Sequence, residues 1–421
     1  MAEASIRERA LVVFDDPELR GVGVVAREFG NLGYRTVARS EFTQGHLQGV
    51  ELLLTISIPL ERLGVFLNEL HAANPDRSYK VAMILPERNI PKSEIRFFDA
   101  LDPAVFDGIA HVSTGNLIHW REKFPDKLHG YFQNPSTLQA GDPKESSDPS
   151  VISSGVFTTF KGLGVLLKGA QVLEAFPELT FSYTGCQFQI SGRSGKIVGS
   201  PELVTSLATD LKEKALRPNI VLQPEDDWAA RESGGKLNVF PSYSNRSENS
   251  RRIAESGVYL FTPCAVLNGA DFGRGHIRRK HLLRWASAVD YNLLEALASG
   301  TPALLSHGYH SMLLSQLERY SSEVLGRELS WPLPLYDELA EAAELAKDLV
   351  QRSDYRELSE RQLRYFEGIR DASNALLEDD LSFFLGESKS NYSPALEIPK
   401  GTRFLPEAGM VLPGAESATK L

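Results

Sequence analysis

Apolar residues along this chain come in short runs of strand length, and between the runs they recur every three or four positions. Leu11-Val12-Val13-Phe14 is such a run, followed by a polar turn and a helical pattern from Val24 to Leu32 that Gly33 ends. Tyr34 to Val37 and Val50 to Thr55 are the next two runs, and then Leu60, Leu63, Phe66, Leu67 and Leu70 share one helix face. Lys80 to Leu85 and Gly108 to Val112 make five strands in the first third. A short apolar run between turn residues suits a strand buried on both faces, and a 3.6-residue period suits a helix packed on it. Strands alternating with helices through short turns predict a parallel, doubly wound sheet.

From Gln133 to Pro149 the composition turns to Asn, Pro, Ser, Gly, Asp and Lys, which reads as a linker. The alternation then restarts. Strands are expected at Val151 to Phe157, Leu179 to Thr184, Asn219 to Leu222, Gly257 to Thr262 and Pro302 to Ser306. Helices are expected over Gly164 to Phe176 and Leu293 to Ala298. From Tyr336 the chain is helical and charged, and from about Ser388 it is rich in Pro, Gly, Ser and Glu without period. The organisation read from this is an α/β protein of two doubly wound domains. Residues 1–145 and 146–365 form the domains, 366–387 a C-terminal helix and 388–421 a mostly disordered tail. Two such domains place a cleft between them, lined by strand carboxyl ends, and that cleft is the expected ligand site.

A length of 421 residues suits two domains that each bury a core. A formal charge of −10 argues against a general nucleic-acid binder, although it leaves room for a local basic groove. Cys186 and Cys264 are too few for a disulfide framework or a cysteine-rich metal site. The opening residues are charged and no apolar run approaches a membrane span, so a soluble, cytoplasmic protein is expected.

Asp290 to Ser306 carries the clearest chemistry. It reads as a helix stopped by Gly300, followed by a buried strand opened by Pro302. The helix N-terminus would face the cleft, where free N–H groups and the helix dipole suit a diphosphate. Glu295, one turn in, could accept hydrogen bonds from paired ribose hydroxyls. Just before it, Arg274, His276, Arg278, Arg279, Lys280, His281 and Arg284 form a dense basic run. That run could match pyrophosphate bidentately, form a solvated face, or line a groove for nucleic acid. Gly21-Val-Gly23-Val-Val-Ala26 fits a dinucleotide pattern, but Asp15 to Arg20 separates it from the strand, so a nicotinamide site is not expected. Glu87, after the Lys80 to Leu85 strand, would lie at a carboxyl end beside the cleft. With no Asp-x-Asp and no Cys pair at ligand spacing, neither a metal nor another cofactor is expected.

Glu295-Ala-Leu-Ala-Ser-Gly-Thr-Pro302 resembles the donor-site motif of retaining GT-B glycosyltransferases, the superfamily of glycogen and sucrose synthases. Gly155 through Lys161-Gly162, Leu166-Leu167, Phe176-Pro177-Glu178-Leu179 and Thr184-Gly185 are similar to its opening strand, helix and second strand. Gly21-Val22-Gly23 with Leu32 to Val37 resembles its N-terminal glycine loop, and His111 to Thr114 and Asn134-Pro135 fall where the family closes its first domain. The match runs in order over roughly residues 10 to 350. It implies the GT-B fold and transfer of a sugar from a nucleoside-diphosphate-sugar donor to an acceptor hydroxyl with retention. The acceptor could be a glycan, a small molecule or DNA. It further implies that Lys161 contacts the diphosphate and Glu295 the ribose. Gly21, Gly23, Gly185, Asn292 and Leu293, with Arg278 and Arg279 of the basic run as candidate diphosphate cations, complete the expected donor-binding set. Glu87 and Asp290 are the candidate catalytic carboxylates.

Three positions depart from the pattern. Val156 stands where the family has arginine, Ser287 where it often has a second glutamate, and Asp290 where a glycine is common. Val156 and Ser287 motivate a second reading, a non-catalytic GT-B protein that binds a nucleotide or glycan, and sugar-nucleotide epimerisation is a further enzyme alternative on the same architecture.

Overall fold

The computed structural model describes residues 5–15, 22–56, 58–85, 92–111, 120–145, 148–154, 157–158, 179–186, 188–189, 220–222, 237–241, 246–261, 289–307, 310, 314–336, 339–388, 403–405 and 409–411. Its first sheet has six parallel strands, β1 (Ala10–Phe14), β2 (Arg35–Ala38), β3 (Leu52–Ile56), β4 (Lys80–Leu85), β5 (Gly108–His111) and β6 (Leu128–Tyr131). They lie in the order β2-β1-β3-β4-β5-β6. Side chains alternate across the sheet, so Leu11 and Val13 enter one core while Ala10 and Val12 enter the other. Both faces are therefore covered, which is why these strands read as continuous apolar runs.

Short α1 (Ile6–Arg9) leads into β1, and α2 (Val22–Asn31), α3 (Leu60–Ala73) and α4 (Lys92–Ala100) connect the strands. Helix α3 buries Leu63, Phe66, Leu67 and Leu70, the stripe expected from its spacing. Gly33 sits at φ 91° just past α2, a left-handed position that glycine takes without a Cβ penalty.

The second sheet is also parallel and has seven strands. They are β7 (Ser150–Ser154), β9 (Thr180–Cys186), β11 (Ile220–Leu222), β12 (Leu237–Pro241), β13 (Val258–Leu260), β14 (Ala303–Ser306) and β15 (Leu335–Tyr336). Their order is β11-β12-β9-β7-β13-β14-β15. A separate short pair joins β8 (Phe157–Thr158) to β10 (Phe188–Gln189), so the strand expected from Val151 to Phe157 is interrupted after Ser154. Five described helices follow or flank these strands: α5 (Arg246–Glu255), α6 (Tyr291–Ala298), α7 (Ser315–Glu323), α8 (Leu339–Gln351) and α9 (Tyr355–Leu385). The expected Gly164 to Phe176 helix lies outside the described residues.

Helix α9 begins well before residue 366 and is one unbroken helix of 31 residues, about 46 Å at 1.5 Å per residue. Its first half packs Tyr365, Phe366, Ile369 and Ala372 into the core of the second sheet, with Ile152, Tyr259 and Leu293. Its second half carries Leu377, Leu381 and Phe384 into the core of the first, with Val12, Leu54 and Ile84. One helix thus joins both cores. Beyond it, β16 (Arg403–Leu405) and β17 (Gly409–Val411) pair antiparallel within the segment read as tail.

The linker composition at 133–149 is likewise not a sign of a free segment. Ser136 exchanges two hydrogen bonds with the Asn374 amide on α9, at 3.0 and 2.8 Å. Thr137 donates its backbone N–H and its hydroxyl to the buried Glu28 carboxylate on α2.

At the carboxyl end of β5 the fully buried His111 lies against His129, with ring nitrogens 3.1 Å apart and ring planes 8° from parallel. His129 Nε2 donates to the Phe124 carbonyl, which makes its Nδ1 the acceptor for His111 Nε2–H. Burial pushes both imidazoles below the usual histidine range, so they are neutral when folded. A histidine held neutral in the fold binds a proton only on unfolding, and its contribution is lost as pH falls through about 6.5. For one such group the loss is on the order of 1 kcal/mol per pH unit below that value. We predict that His111→Gln, which keeps an N–H donor but cannot titrate, flattens the fall in melting temperature between pH 7 and 5.5. Parallel melting curves for variant and wild type would refute this.

Candidate functional site

In both sheets the strand order reverses beside the first strand, at β1/β3 and at β7/β13. In open α/β sheets ligands collect outside the carboxyl ends of the strands at such points. Helix α6 comes after β13 and before β14, two adjacent parallel strands, so its N-terminus lies at the carboxyl edge. Helix α5 comes between β12 and β13 and presents its first turns at the same edge.

Three polar side chains meet there. Asn249 Nδ2, one turn into α5, lies 3.2 Å from both Glu295 Oε2 and Asn292 Oδ1 on α6. Both partners accept, which fixes the amide with its nitrogen toward them. Glu295 is only 4% exposed and Asn249 only 7%. The Asn249 Oδ1 is buried and accepts no hydrogen bond from the described residues. A buried carboxylate steadied by an amide, next to an unsatisfied acceptor, is suited to a ligand that brings hydroxyl or N–H donors.

The frame around this cluster is built by hydrogen bonds. Gly300, at φ 71°, closes α6, and a Cβ there would stand 2.6 Å from Ser359 Oγ. Ser359 Oγ donates to the Gly300 carbonyl, and the buried Gln362 amide donates to the Thr301 carbonyl at 2.6 Å while accepting from Ala303 N–H at 2.8 Å. Thr301 Oγ1 donates to the Ile253 carbonyl in the last turn of α5, tying the two helices together. From the other side Asn134 donates to the Val289 carbonyl and Tyr291 to the Pro135 carbonyl. The motif Ser299-Gly300-Thr301-Pro302 is thus the support of α6 at the end away from the carboxylate.

Asp290 is the N-cap of α6, its Oδ1 accepting from Asn292 N–H at 3.0 Å. A carboxylate therefore already occupies the helix end expected to meet a diphosphate. The Leu293 side chain is fully buried in the core of the second sheet, so what it brings to the helix N-terminus is its backbone N–H. Gly23 falls in the first turn of α2 and Gly185 in β9, both by backbone. Glu87, Gly21, Lys161, Arg278 and Arg279 lie outside the described residues, as do Val156 and Ser287.

Asn249 was not among the expected site residues. It sits in Ser244-Asn245-Arg246-Ser247-Glu248-Asn249, a polar run without helical period, although Asn245 before the basic turn gives a faint helix-start signal. A groove of about 690 Å³ lined by Gln44, Leu47, Asn74, Arg77 and Tyr79 opens at the amino ends of β3 and β4, the edge of the first sheet opposite its strand carboxyl ends. Among the described residues no group of His, Cys, Asp and Glu is placed to hold a metal ion, and no helix is long and apolar enough to cross a membrane.

No family model matches the chain, and no curated protein matches it. Solved structures do. An alpha-glucosyltransferase in complex with UDP-glucose and DNA containing an abasic site superposes with a TM-score of 0.54 at 15% identity, over 85% of this chain and 95% of that one. The same TM-score is reached at 14% identity by an alpha-glucosyltransferase with UDP and a DNA 13-mer containing a HMU base, over 85% and 94%. An alpha-glucosyltransferase with UDP gives 0.53 at 15% identity, over 90% and 98%. At these identities the likeness is one of fold, and it extends over both sheets and nearly the whole of each neighbour. The expectation of two facing doubly wound units holds, and the fold is GT-B.

Proposed function

We propose, for a chain with the GT-B fold, that it transfers a sugar from a nucleoside-diphosphate-sugar donor to an acceptor hydroxyl. The observation that carries the reading is the Glu295–Asn249–Asn292 cluster, buried at the carboxyl edge of the second sheet where a donor nucleotide would lie. In this reading the Glu295 carboxylate accepts from the ribose hydroxyls, and Asn249 Nδ2 holds that carboxylate in place. Lys161, Arg278 and Arg279 are the proposed ligands of the diphosphate, with Gly23, Gly185 and Leu293 contributing backbone close to the donor. The bond from the anomeric carbon to the phosphate oxygen breaks, a bond to the acceptor oxygen forms, the acceptor's hydroxyl proton passes to the departing diphosphate oxygen, and the nucleoside diphosphate leaves with the charge that cations stabilise. Retention, transfer of a hexosyl or pentosyl group, independence from metals and a cytoplasmic location belong to the same proposal. Asp290 and Glu87 are its candidate carboxylates near the reacting carbon.

A DNA base is the second reading of the acceptor. It is favoured by the neighbours of the same fold that were solved with DNA.

The test is a donor screen. The full chain is incubated with UDP-, GDP-, ADP-, TDP- and CMP-sugars, with and without duplex DNA, and released nucleotide is followed beside Glu295→Ala. Release from one donor that falls strongly in the variant is the expected result. Binding of a nucleotide with no release, with or without acceptor, would sink the transfer reading in favour of a binding protein.

A further inference from the structure

The first sheet has its own polar cluster at the carboxyl edge, and nothing in the donor site uses it. Asp15 directly follows β1 and is only 4% exposed. It accepts from two arginines, Arg39 Nε at 3.0 Å on Oδ1 and Arg62 Nη1 at 3.0 Å on Oδ2. Arg39 directly follows β2, and Arg62 lies in the first turn of α3, which follows β3. The three residues therefore straddle β1/β3, the point where the strand order of this sheet reverses.

The arrangement has more cation than a structural ion pair needs. One guanidinium suffices to neutralise one buried carboxylate, yet two converge on it, leaving a surplus positive charge at the rim. Arg39 is 31% exposed and Arg62 58%, so the surplus faces solvent. Holding an exposed arginine in one rotamer gains little stability by itself. Exposed Glu41 and Glu61 stand nearby in sequence, but neither arginine bonds to them; both turn to Asp15. Among the described residues each guanidinium keeps most of its N–H donors unengaged, since Arg39 gives only Nε–H and Arg62 only one Nη1–H. Two oriented forks with spare donors, fixed from below by a shared carboxylate, match the oxygens of a phosphate group.

We propose that Arg39 and Arg62, oriented by Asp15, form a phosphate subsite at the carboxyl edge of the first sheet, the sheet that does not carry the Glu295 cluster, so that the acceptor carries a phosphate or phosphodiester. The assignment to an acceptor rests on the transferase reading above; the anion site itself does not. The phosphate could belong to a nucleic-acid backbone or to a small phosphorylated acceptor.

The experiment has two arms on the full-length protein. In the first, arginines are modified with phenylglyoxal with and without inorganic phosphate, and Arg39 and Arg62 are followed by peptide mass spectrometry. Phosphate should slow modification of both several-fold in wild type and in Glu295→Ala, and the protection should disappear in Asp15→Asn. Because Asp15→Asn removes a buried carboxylate, Arg62→Gln serves as a second variant; there the protection of Arg39 should weaken while the melting temperature stays near wild type. In the second arm a labelled DNA duplex of about 13 base pairs is titrated by fluorescence anisotropy at several salt concentrations. A roughly tenfold weaker duplex affinity in Arg39→Gln/Arg62→Gln, with the salt slope reduced by about one to two, would identify the source as a nucleic-acid backbone. Protection by phosphate with unchanged duplex binding would identify a small phosphorylated acceptor. Equal modification of both arginines with and without phosphate, together with unchanged duplex binding, would overturn the proposal. A silent donor screen does not alter the protection, so failure of the transferase reading is told apart from failure of the subsite.

Discussion

Asn249→Asp should weaken binding of the nucleoside diphosphate by about a hundredfold at pH 7.5, equivalent to about 2.7 kcal/mol. The substitution preserves size and shape but replaces an N–H₂ donor with a second carboxylate, 3.2 Å from Glu295 Oε2 in a site where both residues are more than nine-tenths buried. Two carboxylates that close cannot both stay ionised without a cost, so one takes up a proton or the pair splays apart. The splayed, doubly ionised pair loses the oriented acceptor that the ribose hydroxyls need, whereas a proton held between the two carboxylates keeps it. The sign of the pH effect follows. Lowering pH toward 5.5 places a shared proton between the carboxylates and restores an O–H donor, so the deficit relative to wild type should shrink. Asn249→Leu, which has no proton to gain, should show a deficit that does not shrink with pH. Isothermal titration with the nucleotide selected by the donor screen measures both variants. Wild-type affinity for Asn249→Asp at pH 7.5 would show that Glu295 does not depend on this amide.

How much of this site could be read from the sequence depends on how local each residue's signal is. Glu295 was legible because it belongs to an uninterrupted helix–Gly–Pro–strand segment, and the support at Gly300 and Thr301 follows from that same segment. Asn249 was not legible, since its importance comes only from the meeting of two helices that are 46 positions apart in sequence at this point. The Asp290 cap was half legible. A departure from the family's glycine could be seen, but whether the carboxylate would point at the helix N–H groups could not, and the structure places Oδ1 on Asn292 N–H. Leu293 shows the opposite limit. Its neighbours in the motif suggested a ligand contact, while its side chain answers to the core beneath the helix.

The fold was legible where strands are buried on both faces. The residues Lys80 to Leu85 form β4 with the expected bounds, because five successive buried residues there admit no other period. Strand β6 was missed because Leu128-His-Gly-Tyr131 offers two apolar residues and a glycine. Its stability comes from partners far away in the chain. The Phe384 ring, from the last turn of α9, fills the space where side chains at Gly130 and Gly108 would stand. Similarly, α5 is mostly charged and serine-rich, and it is held by Thr301, Asn292 and Glu295 rather than by an apolar stripe.

Phe384→Ala should destabilise the protein by about 3–5 kcal/mol and loosen α9 from the first sheet before it loosens from the second. The ring is 1% exposed and belongs to the core that contains Val12, Leu54 and Ile84. A Cβ on Gly108 would stand 2.5 Å from its Cε1, and one on Gly130 would stand 2.9 Å from its Cζ. The two glycines thus form a socket shaped to one ring, and the backbone of β5 and β6 cannot close over the space when the ring is removed. Truncation therefore leaves a cavity as well as losing transfer energy, which places the cost at the upper end for a core substitution. The first half of α9 keeps its own anchors, Tyr365, Phe366 and Ile369 in the other core, and the Ser359 and Gln362 bonds beneath α6. Hydrogen exchange should accordingly rise in residues 377–385 and in β5 and β6, while amides around α6 stay protected. Gly108→Ala should act at the same socket by forcing the ring out instead of removing it. Uniform loss of protection along the whole of α9 in Phe384→Ala would mean that the helix couples the two cores as a single cooperative unit, and that its two halves are not anchored independently.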